Sequence, residues 1–352
     1  MLNQKYTEKQ KEEYEEKRQE KYSKYLSDIK LRIENEAEHE KEVLNQNYPR
    51  LSEVLLYTKD GRRLWERRNV DDDFLDIRVG YGTIPLIAER KYPERQFEMD
   101  EDNLLEAMYR VAEEPVGISN APIMTSLVKD YVCGILGEHK LVHLFLARII
   151  IQIAVAHSYD EVKLVLLTKE ENLETVGVVR YLPHLWNDQK DFRFLAMSQS
   201  DASRISEYLK GELDKDIQKP RELKEILKEK PYFVVIASDK KIFDSMEILK
   251  DVMKCDKNCG VSVITAFDEL PKECMKVFHL HKNGNHSIAH LSQIELPDKY
   301  FRMDDYNRQE AEQSMKRICN TRLRVVSQSY SLPKMVTFLE CTVSAVWSSL
   351  IH

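Results

Sequence analysis

Four short runs, "YVCGIL" (131-136), "VKLVLL" (162-167), "FRFLAM" (192-197) and "YFVVIA" (232-237), with "VSVITAF" (261-267) as a fifth, constrain this chain more than any other feature. They are too short for helices, and their apolar residues run together instead of alternating, the pattern of strands buried on both faces. Between them, stretches 140-157, 201-214 and 241-254 have helical patterning and enough length for crossovers. The expected fold is therefore α/β, a mostly parallel sheet with flanking helices.

The N-terminus is of another kind. Residues 1-47 contain no Gly or Pro and are rich in Glu, Lys, Gln and Arg, with opposite charges at three- and four-residue spacing. A long helix is predicted. Tyr22, Tyr25, Leu26, Ile29, Ile33 and Ala37 make one apolar stripe, while the first twenty residues have almost none, so the helix is expected to pack only in its second half. Two readings stand side by side: a solvated helix or coiled-coil arm, and a mechanical stalk. Pro49 ends the helix, and turn signals at Asp60-Gly61 and Gly80-Tyr81-Gly82 mark a small β-rich element. The resulting division is a helical stalk (1-48), a β-rich element (49-98), an α/β domain (99-340) and a tail (341-352).

Composition excludes some functions. A net charge of -7 over 352 residues gives no general electrostatic grip on nucleic acid. The cysteines at 133, 255, 259, 274, 319 and 341 have no framework spacing and read as reduced thiols. Cys255 and Cys259, with Cys274, His279 and His281 downstream, lack the second tight cysteine pair of a zinc site, so no metal is expected. No run reaches the roughly eighteen apolar residues of a membrane span, and no signal-peptide core follows Met1; the chain as given is expected to be soluble.

"YVCGILGEHKL" has the outline of a phosphate-binding loop. Laying GxxxxGK[ST] on it places Gly134 and Lys140 in register, with Gly137 between them, a strand before and a helix after. The chemistry departs. His139 occupies the position of the last glycine, where a Cβ crowds the phosphates, and Leu141 replaces the hydroxyl that would hold Mg²⁺. Asp239, two residues past "YFVVIA", is the candidate acid for the metal, but lysines follow it where a catalytic Glu would stand. The segment reads as the remnant of a nucleotide loop, and no cofactor is expected; ATP with Mg²⁺, bound weakly through Lys140 and Asp239, is the alternative. No catalytic residue is nominated, since Pro183-His184 lacks a nucleophile or metal partner.

Three pieces carry a resemblance: "LWERRNVDDDFLDIRVGYG" (64-82), "LARIIIQIAVAHSYDEVKLVLL" (146-167) after the degenerate loop, and "YLPHLWND" (181-188). With them the chain, over about residues 15 to 340, resembles the EssC/EccC family of type VII secretion ATPases, of the FtsK/SpoIIIE class. The resemblance implies the section between that family's transmembrane helices and its first motor domain, on the cytoplasmic side of the membrane. It also implies other secretion components as partners, and a hexamer for the full-length protein. The tail "CTVSAVWSSLIH" departs from the family, and a frameshift ending the gene product after Glu340 is the expectation drawn from it.

Trp65, Glu66, Arg67 and Arg68 form the densest block. One reading puts the Arg pair at a contact with the stalk, a neighbouring domain or a partner; the other is a Trp covering a small β core with charged neighbours on its rim. Asp71, Asp72 and Asp73 read as a turn and its cap rather than a cation site. Asp76 and Arg78, two apart on a strand, are expected to pair.

Overall fold

In the computed structural model, residues 2-95, 103-172, 177, 179-291 and 298-323 are described below. The chain begins with α1 (Leu2–Asn47), followed by α2 (Leu51–Val54), β1 (Asp76–Pro85), α3 (Asn103–Glu113), β2 (Gly117–Ser126), β3 (Val132–Gly137), α4 (His139–Ala156) and β4 (Val162–Leu167). It continues through β5 (Leu195–Ala196), α5 (Gln199–Gln218), α6 (Leu223–Ile226), β6 (Tyr232–Ala237), α7 (Lys240–Asp244), α8 (Glu247–Met253) and β7 (Val261–Thr265). β8 (Lys276–Leu280), β9 (His286–His290), β10 (Lys299–Arg302) and α9 (Arg308–Cys319) complete the fold.

The strands form one sheet in the order β2-β1-β10-β9-β8-β3-β7-β6-β4-β5. From β8 to β5 every pairing is parallel, and from β8 to β2 every pairing is antiparallel. The fold is α/β with a mostly parallel sheet and a long N-terminal helix. The run "YFVVIA" is a strand buried at all six positions. Tyr232, Val234 and Ile236 enter the core on one face, Phe233, Val235 and Ala237 the core on the other, which is why the run does not alternate. α4 covers the first face, and α5 and α8 cover the second.

Two expected elements are shorter than their sequence signal. "FRFLAM" supplies a strand of two residues, because Arg193 pairs with Trp186 in an isolated bridge instead of extending the ladder. The helix expected over 241-254 is split in two, with Asp239 capping α7 and Met246 preceding α8. Among the described residues of 49-98, β1 is the strand formed, and its partners β2 and β10 come from later in the chain.

α1 spans 46 residues, roughly 70 Å at 1.5 Å per residue. Leu26 is buried, and Tyr22, Ile29, Ile33 and Ala37 are half-buried, while Tyr14 and Tyr25 stay exposed. The expected packing of the second half holds. Among the described residues α4 is long and apolar enough to cross a membrane, contrary to the sequence reading, yet 61% of it is buried in the core. A helix hydrophobic nearly all round is also what the centre of a sheet requires.

The described residues up to Cys319 belong to one compact unit, and those from Asn320 on fall outside it. The latter are 320-323, a turn and coil; the tail 341-352 and the Glu340 boundary lie outside the described residues.

Candidate functional site

The first candidate is the connection between β3 and α4. β3 ends at Gly137 and α4 starts at His139, so Glu138 alone joins them. Gly134 lies within the strand, where a Cβ would run into Leu270 and Cys274. Gly137 has φ of 155°, and a Cβ there would stand 2.8 Å from the Leu280 side chain and carbonyl oxygen on neighbouring β8. Both glycines of the loop thus have packing reasons for lacking a side chain.

His139 and Lys140 are exposed on the first turn of α4, and Leu141 packs against the core. The His139 Nε2 lies 3.1 Å from the His143 Nε2, and burial, then His139 itself, draws the His143 pKa down to about 4. Glu138 caps nothing with its side chain; its carboxylate pairs with Lys282 at 3.4 Å. A phosphate approaching the first turn of α4 would meet that carboxylate.

Asp239 sits beyond β6, which β7 separates from β3. Its carboxylate accepts the Ile242 N–H at 2.9 Å as the cap of α7, and Lys169 lies 3.3 Å away. Those partners occupy the acid that a magnesium ion would need. Among the described residues no three His, Cys, Asp or Glu side chains come together as a metal site.

The second candidate is the block Trp65 to Arg68, which lies where two helices end. The Trp65 N–H donates to the Val155 carbonyl at 2.8 Å, its indole Nε1 to the Ala154 carbonyl at 3.0 Å, and the Arg67 N–H to the Ala156 carbonyl at 3.1 Å. These are last-turn carbonyls of α4, which no residue of the helix can satisfy. Trp65 has φ of 59°, a left-handed conformation that a Trp seldom adopts, held by these bonds on either side of its Cα.

The same block grips the end of α1. Arg67 donates from Nη2 to the Asn47 carbonyl at 2.8 Å and from Nη1 to the Asp76 carbonyl at 2.7 Å, its guanidinium 4.6 Å from the Tyr48 ring centroid. Arg63 donates to the Gln46 carbonyl at 2.6 Å and lies 3.4 Å from Glu66. Cations at a helix C-terminus answer both its free carbonyls and its dipole. Arg68 faces Glu161 at 3.5 Å, and Arg67 faces Asp73 at 3.2 Å. Asp71 accepts the Arg68 N–H at 2.7 Å, which makes the Asp run a turn cap as expected, with Asp72 out at the surface.

Arg78 corrects an expectation. It does not pair with Asp76 but forms a buried two-pronged bond to Asp304, at 2.8 and 3.0 Å. It also donates to the Tyr48 carbonyl and the Asn45 side chain, again at the end of α1. Gln152 of α4 bonds both the N–H and the carbonyl of Arg78. Nothing near Asp304 in sequence marks it as this partner, so spacing on one strand pointed to the wrong acid.

Two histidines complete the junction. His157 donates from Nδ1 to the Arg67 carbonyl at 3.0 Å, and His184 from Nε2 to the His157 carbonyl at 2.9 Å. Burial pushes their pKa values down to about 3 and about 4, so both are neutral. Trp65 meets the Tyr159 ring edge-on, and Tyr159 meets His184 in the same way. The three pieces that carried the resemblance, around 65, 157 and 184, therefore converge at one place.

No family model matches the chain. Among curated proteins it is similar to the ESX secretion system protein EccC of Geobacillus thermodenitrificans, with 25% identity over 338 residues, covering 91% of this chain and 22% of that protein. It is likewise similar to the type VII secretion system protein EssC of Staphylococcus aureus, with 23% identity over 327 residues and the same shares. The chain thus spans 22% of the length of the curated relatives it matches. Among solved structures, EssC (ATPases 2 and 3) from Geobacillus thermodenitrificans aligns with a TM-score of 0.45 and 12% identity, over 73% of this chain and 51% of that one. Thermomonospora curvata EccC (ATPases 2 and 3) in complex with a signal sequence peptide aligns with a TM-score of 0.42 and 11% identity, over 54% and 39%.

Proposed function

We propose that this chain serves type VII protein secretion as a non-catalytic coupling module: a stalk helix fixed to an α/β domain that keeps the outline of an ATPase without its chemistry. Its work is to join a membrane anchor to motor domains on the cytoplasmic side and to contact other secretion components, within a homo-oligomer of the whole protein. One observation carries this reading. The Trp65 to Arg68 block, with Arg63, bonds the last carbonyls of α1 and the last carbonyls of α4 at once. A helix held at one end by bonds to a buried core helix moves with it, which is what transmission of a displacement requires.

The lack of nucleotide chemistry rests on the one-residue connection at Glu138, on packing roles for Gly134 and Gly137, and on Asp239 being engaged as a helix cap. The competing reading, a regulatory ATP-binding domain, draws on Lys140 being exposed at the start of α4 behind a buried strand. Calorimetric titration with ATP and Mg²⁺, beside a Lys140→Ala variant, separates the two. The coupling module gives no saturable heat at millimolar ATP; saturable binding that the variant loses would replace it with the regulatory domain.

A further inference from the structure

The motif "YLPHLW" and the segment after it hold a charged group that the coupling reading leaves unused. Arg193 pairs through its backbone with Trp186, and its guanidinium lies 5.4 Å from the Trp186 ring centroid and 6.0 Å from that of Tyr181. Its Nε and Nη2 are buried and make no hydrogen bond. The charge nearest in effect has the same sign: burial first, and then Arg180, draw the Arg193 pKa down. Arg180 lies 4.6 Å from the Tyr181 ring centroid and bonds the Tyr181 hydroxyl. The acids closest in sequence are engaged elsewhere, Asp188 with Lys163 at 2.7 Å and Asp191 with the Asn187 amide at 2.7 Å.

An arginine cannot shed its proton, and a buried guanidinium edge with no acceptor is a standing penalty that native structures seldom keep without a use. Nε and Nη2 form the edge that takes the two oxygens of a carboxylate or phosphate side by side. The Trp186 and Tyr181 rings on either side offer flat apolar contact to whatever carries those oxygens. Tyr181 is 59% exposed, and access to the buried edge requires a neighbouring side chain to move aside, a rotamer change of the kind common at binding surfaces.

We propose that Arg193 and Arg180, between Tyr181 and Trp186, form a binding site for an oxyanion carried on an aromatic or apolar group. Arg193 supplies the two-pronged bond, Arg180 a second cation, and the rings select a flat apolar body over a bare ion. The site shares no residue with the β3–α4 connection or the Trp65 junction, so it stands or falls apart from the coupling reading.

Titration of the full chain with phenyl phosphate and with benzoate, by calorimetry, tests this and separates a phosphate from a carboxylate ligand. At least one probe is expected to saturate with a Kd of about 1 mM or tighter, and the tighter probe assigns the headgroup. Arg193→Gln is expected to weaken it at least about tenfold. If neither probe saturates, or if Arg193→Gln binds as well as the original chain, the site is refuted. Melting curves keep folding separate from binding. Removing a half-buried cation whose Nε and Nη2 lack a hydrogen bond should leave Tm of Arg193→Gln within about 2 °C of the original or above it. A fall of more than about 5 °C would make Arg193 a structural strut between two rings and overturn the proposal.

Discussion

The two ends of α4 are built on different principles. At its start a single residue leads in from β3, the first-turn His139 and Lys140 stand in solvent, and Glu138 caps nothing. At its finish the last carbonyls are taken by Trp65 and Arg67, and two neutral histidines stand behind them. In a nucleotide-binding domain the start of such a helix has to be the ordered, glycine-lined end. Here the ordered end is the other one, and α1 is attached to it. The comparison shows where the hydrogen bonds of this region concentrate: at a junction between α4 and α1.

The comparison breaks most severely at Arg78. Replacing it with Ala leaves Asp304 buried and unpaired, and unfolding in denaturant should lose about 3 to 5 kcal/mol. A loss below 1 kcal/mol would mean that the junction is ornamental.

Acid should attack the same end of α4. The pKa values of His157 and His184 are lowered in the folded chain to about 3 and about 4, so on acidification the unfolded chain takes up their protons first. Their contribution is whole above about pH 6.5 and drains away as pH falls toward 4, about 2 kcal/mol for each by pH 5. Denaturant midpoints measured from pH 7 to 5 should decline, and His184→Asn should flatten that decline by about half. A slope unaltered in the variant would place the sensitive groups elsewhere.

Trp65→Ala comes next. It removes the indole bond to Ala154 and the contact with Tyr159, and partly relieves the bulk of a side chain at positive φ, for a net loss of about 2 kcal/mol. The smallest effect belongs to the other end of the helix. Lys140→Ala should change stability by less than about 0.5 kcal/mol, since its side chain is exposed and forms no ion pair among the described residues. A larger effect would show that the start of α4 is under a constraint not visible in its contacts.

Much of the α/β part was legible because its strands are buried on both faces, where chemistry leaves little choice of residue. "VKLVLL" and "YFVVIA" are strands from their first residue to their last. The antiparallel wing was less so: β9 and β10 carry His, Ser, Lys and Arg among their apolar residues, and the pairing of β10 with β1 bridges more than 200 residues of chain. At the candidate sites, the departures of the β3–α4 connection from a phosphate-loop pattern are in the sequence itself, at His139 and Leu141. That the connection is one residue long could not be read there, because β3 runs on to Gly137 by pairing with Leu280 of β8, a residue far along the chain. The block at Trp65 to Arg68 stood out by density alone; its role depends on backbone carbonyls of Gln46, Asn47 and Ala154, which no side-chain pattern announces.

Hydrogen exchange of the intact chain beside its Arg67→Ala variant tests the central claim most directly. If Arg67 fixes α1 to the end of α4, amides of α1 from about Tyr22 to Asn47 should exchange at least about tenfold faster in the variant, while β4 and β6 keep their protection. If α1 exchanges at the same rate in both, the stalk is held by its apolar stripe alone, and the junction does not couple it to the domain.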